Sequence, residues 1–263
     1  MTTISTHGKL LLVMADAPTP LPTLTDRQIK ILRAIVEEYS QTAEPVGSDT
    51  LDKKYQIGVS PATIRNEMNR LVDKGYLIQP HTSAGRTPTP AAIRFYVDQL
   101  MNEKQLAVTD EIKVKQQIWD SRGEIGRLLR EVTHTLANQT HMLAVAATDQ
   151  GKAYHSGYAN ILDIPEFFDI DVTRSVFSVI DEVNQLMGIF SHPPVGANVP
   201  SVLMGDDFGI AALRPVGLVY TQFKLGTTAG AVGVLGPCRL DYSYIIPTVR
   251  YVGNLLDEIG REW

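Results

Sequence analysis

The side chains best suited to chemistry lie in one short stretch, V-S-P-A-T-I-R-N-E-M-N-R at Val59–Arg70. Asparagine, arginine and threonine can hydrogen-bond to the edges of nucleic-acid bases or to phosphate oxygens. Ser60 is suited to capping the first free N–H groups of a helix, and Pro61 to the first helical position. The stretch therefore predicts a helix that begins sharply and presents polar groups.

The two faces of this predicted helix differ in character. Ile64, Met68 and Leu71 recur at helical spacing, so they form one apolar face that packs inward. The remaining side chains point outward or lie on the flanks; they are Ala62, Thr63, Arg65, Asn66, Asn69, Arg70 and Asp73. This pattern favours a recognition helix, although a solvated surface helix is the plainer interpretation of the same residues.

Each candidate on this helix has an expected role. Arg65 and Arg70 can hold phosphates or a guanine edge, and Asn66 can pair with adenine. Ser60 and Thr63 are expected to serve as cap and backbone contacts. Ala62 and Asn69 complete the outward surface.

The flanking segments predict elements that would position this helix. Thr25-Asp26 can open one helix, and Gly47-Ser48 can start a second, shorter one. Gly58 supplies the tight turn before the third helix. Three short helices with a glycine-bearing turn before the last predict a helix-turn-helix.

A small hairpin is predicted directly after this unit. Gly75 is suited to ending the helix, Tyr76–Ile78 has the pattern of a strand, and residues 81–88 are polar and turn-forming. Such a hairpin can act as a wing that touches the neighbouring backbone or groove. Arg86 is its principal candidate contact, and His81 and Ser83 are weaker ones, since a solvated turn explains His81 equally well.

The rest of the chain mixes strands and helices. A linker and a long helix are expected over 103–140, with Ile118 and Leu136 on the helix's apolar face. Apolar strands are expected at Met142–Ala147 and Leu218–Lys224, and the glycine-bearing turn at Gly226–Gly230 can lead the second of them back into the buried run Ala231–Leu235. A single helix is expected around Val176–Met187. Asp241 is expected to be the N-cap of a final amphipathic helix. Together these segments predict an α/β or α+β second domain, and we expect an α+β fold for the whole chain.

Composition limits the possible functions. The 263 residues are 44% hydrophobic and 20% charged, which allows two folded domains with substantial cores. Residues 25–100 contain ten basic and nine acidic side chains, whereas residues 101–263 contain thirteen and nineteen. Any nucleic-acid contact must therefore depend on a few well-placed cations in the N-terminal part. The single cysteine, Cys238, excludes a disulfide framework and fits a reducing cytoplasm.

Other chemistries have little support. His134, His141 and His155 lack the carboxylate or cysteine spacing that completes a metal site. We find no nucleophile elbow, phosphate-binding loop or dinucleotide fingerprint, so neither catalysis nor a cofactor is expected. No run is long enough to span a membrane. Leu10–Ala15 is too short for a convincing signal peptide, and residues 1–23 are expected to form a disordered extension.

Several motifs give the chain a family resemblance. Five motifs lie in the N-terminal part. They are L-T-x-R-Q at Leu24–Gln28, E-P-V-G-S at Glu44–Ser48, S-x-A-T-I-R-N-E-M at Ser60–Met68, P-H-T-S-A-G-R-x-P-T at Pro80–Thr89 and R-F-Y-V-D at Arg94–Asp98. Two further blocks are S-G-Y-A-N-I-L-D-I-P-E-F at Ser156–Phe167 and G-V-L-G-P-C-R-L-D-Y at Gly233–Tyr242. With these motifs the chain resembles the HrcA family of bacterial heat-inducible transcription repressors.

The resemblance implies an N-terminal winged helix-turn-helix domain over 24–102 and a GAF-like α/β domain over 141–263. It also implies a homodimer bound to an inverted-repeat operator of double-stranded DNA upstream of chaperonin and related operons, with chaperonin as a possible modulator. Members of the family usually carry a long dimerising insertion. Here Met142–Thr148 is followed almost at once by Gly151–Tyr158, so most of that insertion is expected to be missing.

Two alternatives to a heat-shock repressor stay open at this stage. One is a regulator whose GAF-like domain binds a small metabolite, because GAF-like folds bind small molecules in other proteins. The other is an interaction protein that does not bind DNA.

Overall fold

A computed structural model describes residues 22–191 and 199–262. The helices of the N-terminal part are α1 (Asp26–Thr42), α2 (Ser48–Tyr55), α3 (Pro61–Asp73) and α4 (Pro90–Phe95). The later helices are α5 (Val108–Trp119), α6 (Ile125–Thr140), α7 (Tyr158–Leu162), α8 (Ile170–Asp181), α9 (Val183–Phe190) and α10 (Tyr242–Gly260). The strands are β1 (Leu77–Ile78), β2 (Thr87–Pro88), β3 (Leu143–Thr148), β4 (Ala153–Ser156), β5 (Ser201–Met204), β6 (Val216–Leu225) and β7 (Thr228–Pro237).

The first three helices pack around one apolar cluster. Thr25 caps α1 in a capping box with Gln28, and Ser60 caps α3 by accepting a 3.3 Å hydrogen bond from the Thr63 amide. Ile64, Met68 and Leu71 are buried, as their spacing predicts. The antiparallel pair β1–β2 follows α3 and forms the base of the predicted wing.

The C-terminal part is built on a five-stranded antiparallel sheet in the order β4-β3-β7-β6-β5. β6 and β7 form its central hairpin, in which Leu225 pairs with Thr228 across a two-residue turn. Gly226 in that turn has a φ of 58°, which glycine adopts without steric cost. One face of the sheet packs with α5, α6 and α10, and the other packs with α7, α8 and α9. The described residues therefore have an α+β fold, as predicted.

Two helices that the sequence predicted as continuous are each interrupted. The predicted long helix across Ile118–Leu136 ends at Trp119, and a new helix starts at Ile125. Gly123 disfavours a helix interior, and Glu124 adopts an extended conformation. The helix predicted across Val176–Met187 is likewise split at Glu182, whose backbone is extended. β4, β5 and α7 were not predicted.

The first described residues, Pro22 and Thr23, accept hydrogen bonds from the segment that follows α3. The carbonyl of Pro22 accepts a 3.2 Å hydrogen bond from Tyr76 Oη, and the carbonyl of Thr23 accepts one of 2.6 Å from Lys74 Nζ. The rest of the extension predicted over residues 1–23 lies outside the described residues, as do residues 192–198. Among the helices that are described, none combines the length and apolarity that crossing a bilayer requires.

Candidate nucleic-acid interface

The outward face of α3 forms a polar ridge. Arg65, Asn66 and Asn69 are exposed, and so are Ser60 and Ala62 at the N-terminal end of the helix. Thr63 is half-buried, and its hydroxyl lies 3.0 Å from Ser60 Oγ. The Ser60 hydroxyl therefore caps the helix, as expected, and the Thr63 hydroxyl lies beside it. Arg65 makes no hydrogen bond or ion pair with any of the described residues, so its guanidinium is available to a ligand.

The wing is attached to the helices through backbone contacts. Val46, which precedes α2, exchanges two 2.9 Å backbone hydrogen bonds with Arg86. A Cβ on Gly85 would lie 2.4 Å from the Val46 carbonyl oxygen, so only glycine allows this close approach. Gln79 donates a 2.8 Å hydrogen bond to the Thr82 carbonyl and closes the tip of the wing.

Arg86 links the wing to α3. Its Nη2 donates a 2.6 Å hydrogen bond to Asn69 Oδ1, and its Nη1 donates one of 3.3 Å to the Ala84 carbonyl. Its Nε is buried and has no hydrogen-bond partner among the described residues. The Arg86 side chain, predicted as the principal wing contact, therefore also fixes the wing against the helix.

Arg70 has a structural partner that the sequence did not reveal. Its Nη1 lies 2.9 Å from Glu67 Oε1, and the side chain of Glu67 is only 3% exposed. Arg27 Nη2 reaches the same oxygen at 2.6 Å, and Gln28 Nε2 donates to Oε2 at 3.0 Å. Burial alone would raise the pKa of Glu67, but the hydrogen bonds from Arg27 and Gln28 and the charge of Arg70 outweigh it and lower that pKa. Arg70 is 63% exposed, so its guanidinium can contact an anion while it pairs with Glu67.

A concave surface of about 620 Å³ lies between α3, the wing and the start of α2. Four of the predicted site residues line it, namely Arg65, Asn69, Ser83 and Arg86. Residues 47–50 form the opposite wall, where Asp49 adds a negative charge. Ser60, Ala62, Asn66, Arg70 and the exposed His81 lie outside this lining. The concave surface thus brings together residues of α3 and of the wing, while the other predicted residues lie elsewhere on α3, at its N-terminal cap or in the wing.

The histidines considered as metal ligands have other surroundings. His134 Nε2 lies 3.0 Å from the Asn138 amide nitrogen, and the ring of His155 packs on Tyr158 with centroids 4.8 Å apart. Over residues 22–191 and 199–262, no group of three or more histidine, cysteine, aspartate or glutamate side chains has the arrangement of a metal site.

A helix-turn-helix with a wing, followed by a GAF-like α/β domain, defines the architecture of a winged-helix transcription regulator. A family model described as "HrcA protein C terminal domain" matches residues 90–246, well over half of the chain. The chain belongs to the HrcA family.

Curated relatives extend this similarity to about 90% of the chain. The chain is 45% identical to a heat-inducible transcription repressor HrcA of Desulforamulus reducens, over 341 aligned positions that cover 90% of this chain and 98% of the relative. It is 27% identical to the protein of the same name from Carboxydothermus hydrogenoformans, with 90% and 98% covered. These relatives are named as repressors, not as enzymes. Both alignments are longer than this chain, so each relative carries residues that the chain lacks.

A solved structure supports the fold. A crystal structure described as that of a hypothetical protein, at 2.2 Å resolution, superposes with a TM-score of 0.73 at 18% identity, and covers 91% of this chain and 99% of its own. At this identity the likeness concerns the fold alone. In the present structure β3 and β4 are joined only by residues 149–152, where the sequence predicted that the family's insertion is missing.

Proposed function

We propose that this protein is a DNA-binding, heat-inducible transcription repressor of chaperonin and co-chaperone operons that acts in the cytoplasm. The observation that carries the proposal is the polar ridge of α3, joined to the wing by the Asn69–Arg86 hydrogen bond. Membership of the HrcA family supports the same function, because its curated members are named heat-inducible transcription repressors.

In this proposal α3 enters the major groove and the wing contacts the adjoining backbone. Arg65 contacts a guanine edge or a phosphate, and Asn66 pairs with adenine. Arg70 contacts phosphate while its Nη1 remains paired with Glu67. Asn69 and Arg86 set the angle between helix and wing, and Ser83 and His81 lie at the end that approaches the neighbouring phosphates.

The proposal includes a homodimer on an inverted-repeat operator. One short helix reads too few base pairs to select a site in a genome, whereas two symmetry-related helices read two half-sites on the same side of the duplex, one helical turn or a multiple of it apart. Chaperonin is proposed as a modulator that increases the fraction of active repressor.

The test is binding of the full chain to a duplex carrying the inverted repeat upstream of its own chaperonin operon. Fluorescence anisotropy should show affinity at least about a thousandfold above that for a scrambled duplex of equal length. Footprinting should show protection of both half-sites, and the solution mass should be that of a dimer. Equal affinity for the two duplexes would contradict the proposal.

The same assay separates the metabolite-sensing alternative. Added chaperonin should increase the DNA-bound fraction, and a panel of small metabolites should leave it unchanged. Release of DNA by a metabolite, without any effect of chaperonin, would instead support a ligand-sensing regulator.

A further inference from the structure

Two segments distant in sequence meet beside the DNA-binding part of the protein. Arg239 follows β7 in G-P-C-R, and Glu166 lies in I-P-E-F before α8. Arg239 Nε and Nη2 donate hydrogen bonds of 2.7 and 3.1 Å to Oε1 and Oε2 of Glu166. Their side chains are only 13% and 18% exposed. This two-point contact fixes the plane of the guanidinium as well as its position.

The third nitrogen of the same guanidinium reaches α1. Arg239 Nη1 donates a 3.2 Å hydrogen bond to the carbonyl of Ser40, in the last turn of that helix. Carbonyls at the end of a helix lack helical partners and carry a partial negative charge, which a cation stabilises. The last turn of α1 contains no basic residue of its own. The sheet domain therefore supplies the cation that this helix end lacks.

Neighbouring contacts show that this part of the α1 end is enclosed. Tyr39, adjacent to Ser40, is half-buried, and burial together with the charge of Glu166 raises its pKa despite the opposing charge of Arg239. The Arg239 guanidinium thus lies between a carboxylate of the sheet domain and the end of a helix that packs directly on α3.

Other ion pairs that join the two parts are more exposed. Arg94 pairs with Asp207, with side chains 38% and 36% exposed, and Lys104 pairs with Asp241 at 2.7 Å, with side chains 59% and 52% exposed. Exposed pairs are screened by water and salt and contribute little to geometry, whereas a shielded bidentate arginine–carboxylate pair is directional. The Arg239 contact is therefore the best suited of these to hold an orientation.

We propose that Arg239 is a positioning residue, which holds α1, and with it the recognition surface on α3, in the orientation that binding two half-sites requires. The proposal rests on the function proposed above. A dimer can place two α3 helices at the fixed spacing of two half-sites only if each winged helix is held at a defined angle to the rest of its protomer.

The first test measures orientation without DNA. Spin labels at Lys53→Cys in α2 and Lys224→Cys in β6 report the distance between the two parts by pulsed electron–electron resonance, with labelled protein diluted into unlabelled protein. Every variant is made in a Cys238→Ser background, because Cys238 is a free, half-buried cysteine next to Arg239, so that only the two introduced cysteines carry labels. The protein with native Arg239 should give a single narrow distance distribution. Arg239→Ala should broaden this distribution, and Arg239→Lys should broaden it partly, since lysine keeps the charge but cannot form the two-point contact.

The matched control is Arg174→Ala. Arg174 forms an exposed ion pair with Asp171 within α8, so its removal should leave the distribution unchanged. An unchanged distribution in both Arg239 variants would overturn the proposal. If Arg239→Ala fails to fold, as judged by circular dichroism, Arg239→Lys alone decides the outcome.

The second test compares two duplexes, one with a single half-site and one with the full inverted repeat. Arg239→Ala should lower affinity for the full repeat by about tenfold or more, because the coupling between half-sites is lost. Affinity for a single half-site should stay within about twofold, since the surface of α3 is unchanged. Equal losses on both duplexes, or no loss on either, would overturn the positioning role.

The two tests separate this inference from the proposed function. If the wild-type protein shows no preference for the inverted repeat, the proposed function fails, and with it the role of Arg239 in DNA binding. The distance measurement needs no DNA, so it shows in that case whether Arg239 still fixes the orientation of α1. If the wild-type protein binds the repeat and the Arg239 variants behave like it, only the inference fails.

Discussion

Asn69 in α3 accepts a 2.6 Å hydrogen bond from Nη2 of Arg86 in the wing, across 17 positions of sequence. Each residue has the chemistry to contact DNA directly, yet the structure joins them to each other. The angle between the recognition helix and the wing therefore depends on this pair as well as on the backbone hydrogen bonds between Val46 and Arg86.

We expect Asn69→Ala and Arg86→Ala each to weaken operator binding, and their effects to be coupled. A double-mutant cycle on DNA affinity should give a coupling energy of at least about 0.5 kcal/mol, because either substitution alone already breaks the shared hydrogen bond. Asn66→Ala is the control partner, since no hydrogen bond joins Asn66 to Arg86. Its cycle with Arg86→Ala should be additive, and equal coupling in the two cycles would contradict the assigned role of Asn69.

Arg65→Ala should affect DNA binding without affecting the fold. Arg65 is exposed and has no partner among the described residues, so stability should change by less than about 0.5 kcal/mol. If Arg65 contacts a base, specific binding should weaken by about 1–3 kcal/mol. If it contacts a phosphate, the slope of log affinity against log salt concentration should become shallower by about one. Anisotropy titrations at several salt concentrations distinguish these outcomes. Arg174→Ala serves as the control, and an equal effect of both substitutions would remove Arg65 from the interface.

The elements that the sequence predicted well depend on local signals. α3 was predicted because Ser60 and Pro61 mark its start and because Ile64, Met68 and Leu71 share a face. These signals act within a few residues, so no tertiary information is needed to interpret them. The central β6–β7 hairpin was likewise predicted from apolar runs on either side of a glycine-bearing turn.

The contacts that the sequence did not reveal are long-range. The buried carboxylate of Glu67 is contacted by Arg27 and Gln28, which lie about forty positions away in the sequence. Arg239 reaches the Ser40 carbonyl across 199 positions. Both sites had motif signals, since all of these residues except Ser40 lie within the quoted motifs, but a motif does not state which side chains meet. The interruptions at Gly123 and Glu182 were missed because apolar spacing continues on both sides of each break.

The buried carboxylate of Glu67 should make stability depend on pH. Its pKa in the folded protein lies below the ordinary value of 4.5, so its stabilising contribution is present above that value and is lost as the pH falls through the folded pKa. Glu67→Gln keeps the shape but removes the charge that Arg27 and Arg70 contact, and should cost about 1–3 kcal/mol near neutral pH.

Urea unfolding at a series of pH values tests this expectation. From about pH 7 to about pH 5 the difference in unfolding free energy between the wild type and Glu67→Gln should stay constant, and it should shrink as the pH falls further to about 2 and the wild-type carboxylate becomes protonated. Asp73→Asn provides the control, because Asp73 lies exposed on the same helix. A difference that stays constant over the whole of this range would show that the charge of Glu67 does not stabilise the fold.

Gly85→Ala should displace the wing while leaving the rest of the protein folded. The added Cβ would lie 2.4 Å from the Val46 carbonyl oxygen and 2.8 Å from the Pro45 carbonyl carbon, and backbone atoms cannot move aside as a flexible side chain can. We expect a loss of about 1–3 kcal/mol in stability from this overlap, together with weaker operator binding, because the backbone hydrogen bonds that hold Arg86 beside Val46 must lengthen. The matched control is Gly123→Ala, where a Cβ would meet no atom within 4 Å and the backbone has no left-handed conformation. Thermal unfolding and anisotropy measured on both variants decide the matter: equal behaviour of the two alanine variants would show that the wing does not depend on close contact at Gly85.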